Sequence, residues 1–260
     1  MKKIIAKKSL GQNFLKDEKD LQRIADTFDV SSNDLIVEIG PGKGALTKYL
    51  VKKSSDLFCY EIDERMKEFL SSFQSEHVKI IFDDFLKRNL KEDLKKNYDH
   101  IYVIANIPYY ITTPIIEHLL TSSLFISGMT LLVQKEVALR FAALPGTKEY
   151  GYFTVLLQHF FNIEKLFDVS PSSFSPPPKV MSSVVRFVCK KEIVSLDIVS
   201  FSIFLKKAFS FKRKTLKNNL KEYDWDSIFP ILQENHFSSN VRAEEIPYEV
   251  FVKIFTKLNN

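Results

Sequence analysis

The stretch ANIPYYITTP, residues 105–114, follows the apolar, β-branched run HIYVIA, so Asn106 falls where a buried strand should end. The side-chain oxygen of Asn106 and the carbonyl of Ile107 make two adjacent acceptors. Two acceptors suit an adenine amine, which is a poor nucleophile because its lone pair is delocalised into the ring. Accepting both N–H hydrogens favours a more tetrahedral, more nucleophilic nitrogen. No strong base is needed, since the proton can leave after attack on a methyl donor. Pro108 fixes φ and has no N–H, which helps hold the carbonyl's direction. Tyr109 offers a ring on which an extruded base can stack. On this reading Asn106 and Tyr109 carry the reaction.

The donor's pocket is sought in VEIGPGKGAL, where Gly40, Gly42 and Gly44 join a strand to a helix-like run. Glycines there allow a tight turn and close approach of a ligand to the backbone. Gly40, Gly42 and Ala45 also satisfy the dinucleotide fingerprint, and Glu61 ends the next strand-like run at the distance expected of a ribose-binding acid. A nicotinamide oxidoreductase therefore competes, as does a purely structural turn. Two further acids shift the balance. Glu38 lies in the otherwise apolar strand, where burial is expensive without a donor. Asp84, with Asp83 as its rival, follows VKIIF at the same carboxyl edge. A carboxylate for an adenine amine and another for the ribose hydroxyls describe a nucleoside pocket with no evident pyrophosphate partner. That favours S-adenosylmethionine over NAD.

These residues need a frame. DLIVEIG, DLFCYEI, VKIIF, HIYVIA and MTLLVQ read as strands, separated by the helix-like GALTKYLVKK, ERMKEFLSSFQ, DFLKRNLKEDLKKN and TPIIEHLLTSS. Such alternation predicts βαβ units and a parallel, right-handed wound sheet. DEKDLQRIADTF and QKEVALRFAAL read as helices, while YFTVLLQHFF fits strand or helix. SPSSFSPPPKV, with four prolines, reads as a loop before the strand SSVVRFV. Beyond Ser195 only helical patterns remain: IVSFSIFLKKAF, KTLKNNL, WDSIFPILQEN and PYEVFVKIFTKL. The expectation is an α/β domain over 1–195 and a small helical domain over 196–260.

Charge adds a partner. The net charge is +5, and no acid occurs from Ile198 to Lys221, where Lys206, Lys207, Lys212, Arg213, Lys214, Lys217 and Lys221 fall. A solvated face normally mixes signs, so a phosphate-backbone surface is expected there, with Lys212, Arg213 and Lys214 at its centre. Lys2, Lys3, Lys7 and Lys8 form a second basic cluster. No window has the apolar length of a membrane span, and the N-terminus lacks the apolar region of a secretory signal. The two cysteines, Cys59 and Cys189, lie in apolar runs and read as buried small side chains, with no disulfide framework or metal site. A cytoplasmic monomer is the expectation.

Taken in order, KKSLGQNFL, EIGPGKGALT, YEID, DDFL, NIPYYITTPI, VQKEVALRFAALPGTKEYGY, SFSPPPKVMSSVVRF, FKRKTLKNNL and RAEEI resemble the rRNA adenine N6-dimethyltransferases of the KsgA type, over nearly the whole chain. The resemblance implies a Rossmann-like class I methyltransferase sheet with a small helical C-terminal, RNA-binding domain. It implies that Asn13 and Leu15 help bind S-adenosylmethionine with Gly40 and Gly42, that Glu61 holds the ribose and Asp84 the adenine, and that Asn106 borders both cofactor and target amine. Phe174 would be a second aromatic clamp opposite Tyr109. The implied substrate is a pair of adjacent adenosines in a hairpin near the 3′ end of small-subunit rRNA, in an immature subunit. Erythromycin-resistance methyltransferases, which modify large-subunit rRNA, and mitochondrial transcription factors of the same fold are similar. A non-catalytic RNA-binding or assembly role is the alternative from another class, and the basic C-terminal helices alone would satisfy it. Tyr110 stands where the family often has Asn, Phe85 where a small residue is common, and Met181 where Asp is usual.

Overall fold

Largely apolar runs of five to eight residues, bounded by polar or glycine-containing turns, form most of the strands in the computed structural model, which describes residues 6–7, 10–53, 55–94, 96–122 and 124–259. Of the N-terminal basic cluster, Lys2, Lys3 and Lys8 lie outside the described residues. The strands are β1 (Phe14–Leu15), β2 (Leu35–Ile39), β3 (Asp56–Glu61), β4 (Val78–Phe82), β5 (Ile101–Asn106), β6 (Gly128–Gln134), β7 (Phe161–Val169), β8 (Phe174–Ser175) and β9 (Ser182–Cys189). Seven form one sheet in the order β4-β3-β2-β5-β6-β9-β7, while β1 and β8 pair apart from it. Neighbours from β4 to β6 are parallel and β9 runs antiparallel to β6. Burial on both faces explains the continuous apolar sequence LIVEI of β2, all five residues of which are buried.

The chain divides into two compact units. One comprises the chain to Ala138 with Glu164–Val188; the other comprises Leu139–Ile163 with Cys189–Asn260. These are not the expected halves 1–195 and 196–260. The difference comes from YFTVLLQHFF, which forms helix Tyr152–Phe160 and packs against helices Ile198–Ala208 and Tyr248–Leu258. Phe201, Phe204 and Phe255 meet there with ring centroids 5.1–6.4 Å apart.

Three crossover segments differ from their helical pattern, and in ERMKEFLSSFQ only Lys67–Leu70 is α-helical, between two 3-10 turns. GALTKYLVKK gives only Thr47–Leu50, because Gly44 at φ +79° delays the helix. DFLKRNLKEDLKKN splits into Phe85–Lys87 and Leu90–Asp93 around an extended Arg88, whose guanidinium bonds both Asp83 and Asp93. The strand β7 carries no clear alternation that would announce it in the sequence. Cys59 is buried as expected, whereas Cys189 is only half-buried. Among the described residues no helix is long and apolar enough to cross a membrane, and no three His, Cys, Asp or Glu side chains are grouped so as to hold a metal ion.

Candidate active site

The sheet reverses its direction of construction beside β2. The chain moves outward through β3 and β4, then returns to lay β5 on the other flank of β2. Open parallel sheets bind ligands at this point, outside the carboxyl ends of the strands. Along that edge stand, in spatial order, Asp84 after β4, Glu61 at the end of β3, Gly40 after β2 and Asn106 at the end of β5. All four line one cleft, together with Asn13, Leu15, Gly42 and Tyr109. The topology thus gathers residues that the sequence spreads over nearly a hundred positions.

Glu61 is 4 % exposed, and both its oxygens accept backbone N–H bonds at 2.8 Å, Oε2 from Gly42 and Oε1 from Asp63. Burial nevertheless holds its carboxyl above the usual glutamate value. The backbone of Ile62 also donates to this carboxylate, which still keeps acceptor capacity for a ligand hydroxyl. The donor that Glu38 requires is Thr47, whose Oγ1 donates to Oε2 at 2.7 Å. Burial, opposed by that bond, pushes the Glu38 carboxyl up to about 7. Gly42 has φ +58°, and a Cβ there would lie 2.9 Å from the Phe14 ring. At Gly40, with φ +70°, an added Cβ would meet protein only at 3.9 Å; it would occupy cleft space instead.

Around the amine-accepting pair, Pro108 holds φ −59° and ψ 132° ahead of the short turn Tyr109–Ile111. Among the described residues no donor is bonded to the Ile107 carbonyl, and the Asn106 Nδ2 donates to the Asn13 carbonyl at 3.3 Å. Tyr109 is half-buried, and its hydroxyl is 2.6 Å from the Oγ of Ser182 at the start of β9. Sequence reasoning missed Ser182; a hydroxyl opening a strand was its only sign. It also missed Gln12, whose Nε2 donates to Asp63 at 2.9 Å and fastens the QNF loop beside β3, and Ile62, 54 % exposed on the cleft wall.

Asp83 and Asp84 both line the cleft, but Arg88 engages Asp83 at 3.0 Å. Asp84 Oδ1 caps Leu86 N at 3.1 Å, and among the described residues its Oδ2 meets only Lys87, at 3.8 Å, so Asp84 is the better placed acceptor. The departures find places here. Phe85 is buried edge-on to Tyr60 and His118, and Tyr110, 59 % exposed, lies at the cleft over Gly11. The Met181 carbonyl accepts Lys135 N at 3.0 Å. Phe174 is placed apart from Tyr109's cleft wall. It pairs with Leu15 through β8 and β1, is 1 % exposed in the core cluster, and does not line the cleft. Its ring packs in that cluster.

In the second unit Lys212, Arg213 and Lys214 are exposed on the turn between helices Ile198–Ala208 and Leu216–Asn219. Lys212 Nζ donates to the Lys148 carbonyl at 3.2 Å. Among the described residues neither Arg213 nor Lys214 is ion-paired with an acid.

Residues 4–260 match the family model described as ribosomal RNA adenine dimethylase. The chain is 38 % identical over 261 residues to the ribosomal RNA small subunit methyltransferase A of Aster yellows witches'-broom phytoplasma (strain AYWB), covering 96 % of this chain and 95 % of that relative. Its fold is similar to a dimethyladenosine transferase from Plasmodium falciparum, with a TM-score of 0.78, 25 % identity and coverage of 95 % and 97 % of the two chains. It is also similar in fold to the 23S rRNA methyltransferase ErmE, with a TM-score of 0.71, 24 % identity and coverage of 95 % and 100 %.

Proposed function

The chain belongs to the ribosomal RNA adenine dimethylase family, and from that membership we propose that it dimethylates the N6 amines of two adjacent adenosines in a hairpin near the 3′ end of small-subunit rRNA, using S-adenosylmethionine. The immature small subunit is the substrate particle, and the chain acts on it as a cytoplasmic monomer. The observation that carries the reading is Asn106 at the switch point, with one amide end tied back and the other open beside Gly40.

The donor set fits the cofactor. A buried carboxylate with spare lone pairs suits a ribose diol, Asp84 suits an adenine amine, and the cleft space over Gly40 suits close approach of the ligand. Asn13 and Leu15 close the same cleft from the N-terminal side, and Ile62 supplies an apolar face for the adenine ring. When bound, S-adenosylmethionine supplies a methyl group activated on a sulfonium.

The chain's own residues then prepare the nucleophile. Asn106 Oδ1 and the Ile107 carbonyl accept the two N–H hydrogens of the target amine, and Pro108 keeps that carbonyl in place. Tyr109 stacks the extruded adenine, worth roughly 1–3 kcal/mol per base. Such preorganised acceptors contribute on the order of 3 kcal/mol to the barrier. The second methylation needs no new group, because a monomethylated amine still presents one N–H. Lys212, Arg213 and Lys214 hold rRNA phosphates.

Methyl transfer from labelled S-adenosylmethionine to immature small subunits and, in parallel, to large-subunit rRNA, followed by mapping of the modified bases, tests the proposal. Label in two neighbouring adenosines of small-subunit rRNA is expected. Label in large-subunit rRNA alone, or none at all, would overturn it in favour of an erythromycin-resistance activity or a non-catalytic assembly factor.

A further inference from the structure

Phe211 opens the turn that carries Lys212, Arg213 and Lys214, and its side chain is 65 % exposed. A lone exposed apolar residue is ordinary. The setting of this one is not. The buried Asn219 donates through Nδ2 to the carbonyls of Ala208, at 2.6 Å, and Phe211, at 3.3 Å. Lys214 N donates to the same Phe211 carbonyl at 3.0 Å, and Thr215 caps the next helix. The backbone of Phe211 is therefore fixed while its ring stands in solvent. The core does not call for that ring, because Phe209 already packs with Phe251, 5.5 Å between centroids, and with Tyr150 at 6.1 Å. Among the described residues Phe211 has no aromatic neighbour.

We propose that Phe211 is a nucleobase-stacking residue, seating one unpaired RNA base whose flanking phosphates are held by Lys212, Arg213 and Lys214. This rests on the RNA-modifying function proposed above. A rigid aromatic among cations matches the two components of a single-stranded nucleotide, a π-face and a phosphate. Pre-fixed backbone keeps the entropy cost of ordering the ring low. The cations bring salt-dependent affinity through counterion release, whereas a neutral ring adds affinity that salt does not screen.

That difference provides the test. Wild type, Phe211→Ala, Phe211→Tyr and a variant with Lys212, Arg213 and Lys214 neutralised are titrated over a range of salt against immature small subunits and against protein-free small-subunit rRNA. Phe211→Ala should weaken binding roughly 5- to 100-fold on both, with an unchanged slope of log K against log salt, and Phe211→Tyr should restore it. The neutralised variant should instead flatten the slope. Unchanged affinity of Phe211→Ala would overturn the proposal. So would a loss on subunits without a loss on protein-free rRNA, which would give the ring to a ribosomal protein. If wild type bound neither RNA with salt-dependent affinity, the RNA-modifying function itself would fall. Affinity for S-adenosylmethionine should be the same in every variant.

Discussion

The Nδ2 of Asn106 donates to the backbone carbonyl of Asn13, joining the end of β5 to a loop 93 positions earlier in the chain. An asparagine has one donating and one accepting end, so a carbonyl partner assigns the nitrogen to Asn13 and leaves Oδ1 for the cleft. Gln12, the neighbour of Asn13, is bonded in turn to Asp63, which donates its N–H to Glu61. Ribose carboxylate and amine acceptor are thus linked through one short loop. Disturbing either end should be felt at the other.

Glu61→Ala removes a charged acceptor and weakens S-adenosylmethionine binding by roughly 1.5–3 kcal/mol. Glu61→Gln should do little better. A glutamine amide has a single oxygen, whereas Glu61 uses both of its oxygens to accept the backbone N–H groups of Gly42 and Asp63. One of those two donors would then face the amide's own NH2. Calorimetry checks both variants, and wild-type affinity in folded Glu61→Ala would remove the residue from the pocket.

The pH dependence of stability should report Glu38. Its folded value of about 7 lies above the ordinary glutamate value of 4.5, so between the two the native state holds a proton that the unfolded chain has lost. Stability is therefore lost as pH rises through that window and levels off above about 7. Between about pH 5.5 and 8 the loss is on the order of 2 kcal/mol. Glu38→Gln, which cannot ionise, should lack this loss, as urea midpoints at the two pH values would show. Equal slopes in variant and wild type would mean that Glu38 is ionised throughout.

Tyr109→Phe keeps the stacking ring but loses the bond to Ser182, a net effect of about 0.5–1.5 kcal/mol. A few-fold loss in single-turnover rate is expected, far smaller than that of Tyr109→Ala. Ser182→Ala should cost about the same as Tyr109→Phe, and the double variant no more than either. Additive losses would show that the two hydroxyls act separately.

Much of this site was legible because its residues end strands. Glycine, acid, acid and asparagine at successive carboxyl ends need only a parallel sheet to converge, and apolar runs alternating with helix-like ones announce that sheet. The burial of Phe174 was not legible, for a physical reason. An aromatic in a proline-rich loop gives no periodic sign of burial, and only the pairing of β8 with β1 turns it inward. Ser182 and Gln12 act through partners 73 and 51 positions away, which no local pattern encodes. The helix Tyr152–Phe160 is apolar nearly throughout, so its sequence lacked the period that separates helix from strand.

Neutralising Lys212, Arg213 and Lys214 together should weaken RNA binding and make its salt slope shallower by up to about 0.9 per lost duplex-phosphate contact. Affinity for S-adenosylmethionine should not move. Filter binding over a range of salt provides the measurement. Persistence of both affinity and slope would reduce the cluster to a solvated face.

Asn106 has two roles that different substitutions separate. Asn106→Ala removes the acceptor for the target amine and the donor to Asn13 together. At saturating S-adenosylmethionine and saturating immature subunit, its rate should fall roughly 100-fold or more, while RNA binding stays intact. Asn106→Asp keeps an acceptor but brings a carboxylate, with no hydrogen to give, against the Asn13 carbonyl. The loop bearing Gln12 and Asn13 should loosen, and the KM for S-adenosylmethionine should rise in the Asp variant even where saturating cofactor restores part of the rate. A near-normal single-turnover rate for Asn106→Ala would defeat the acceptor mechanism. An unchanged cofactor KM in Asn106→Asp would instead show that the bond to Asn13 orients the amide without holding the loop.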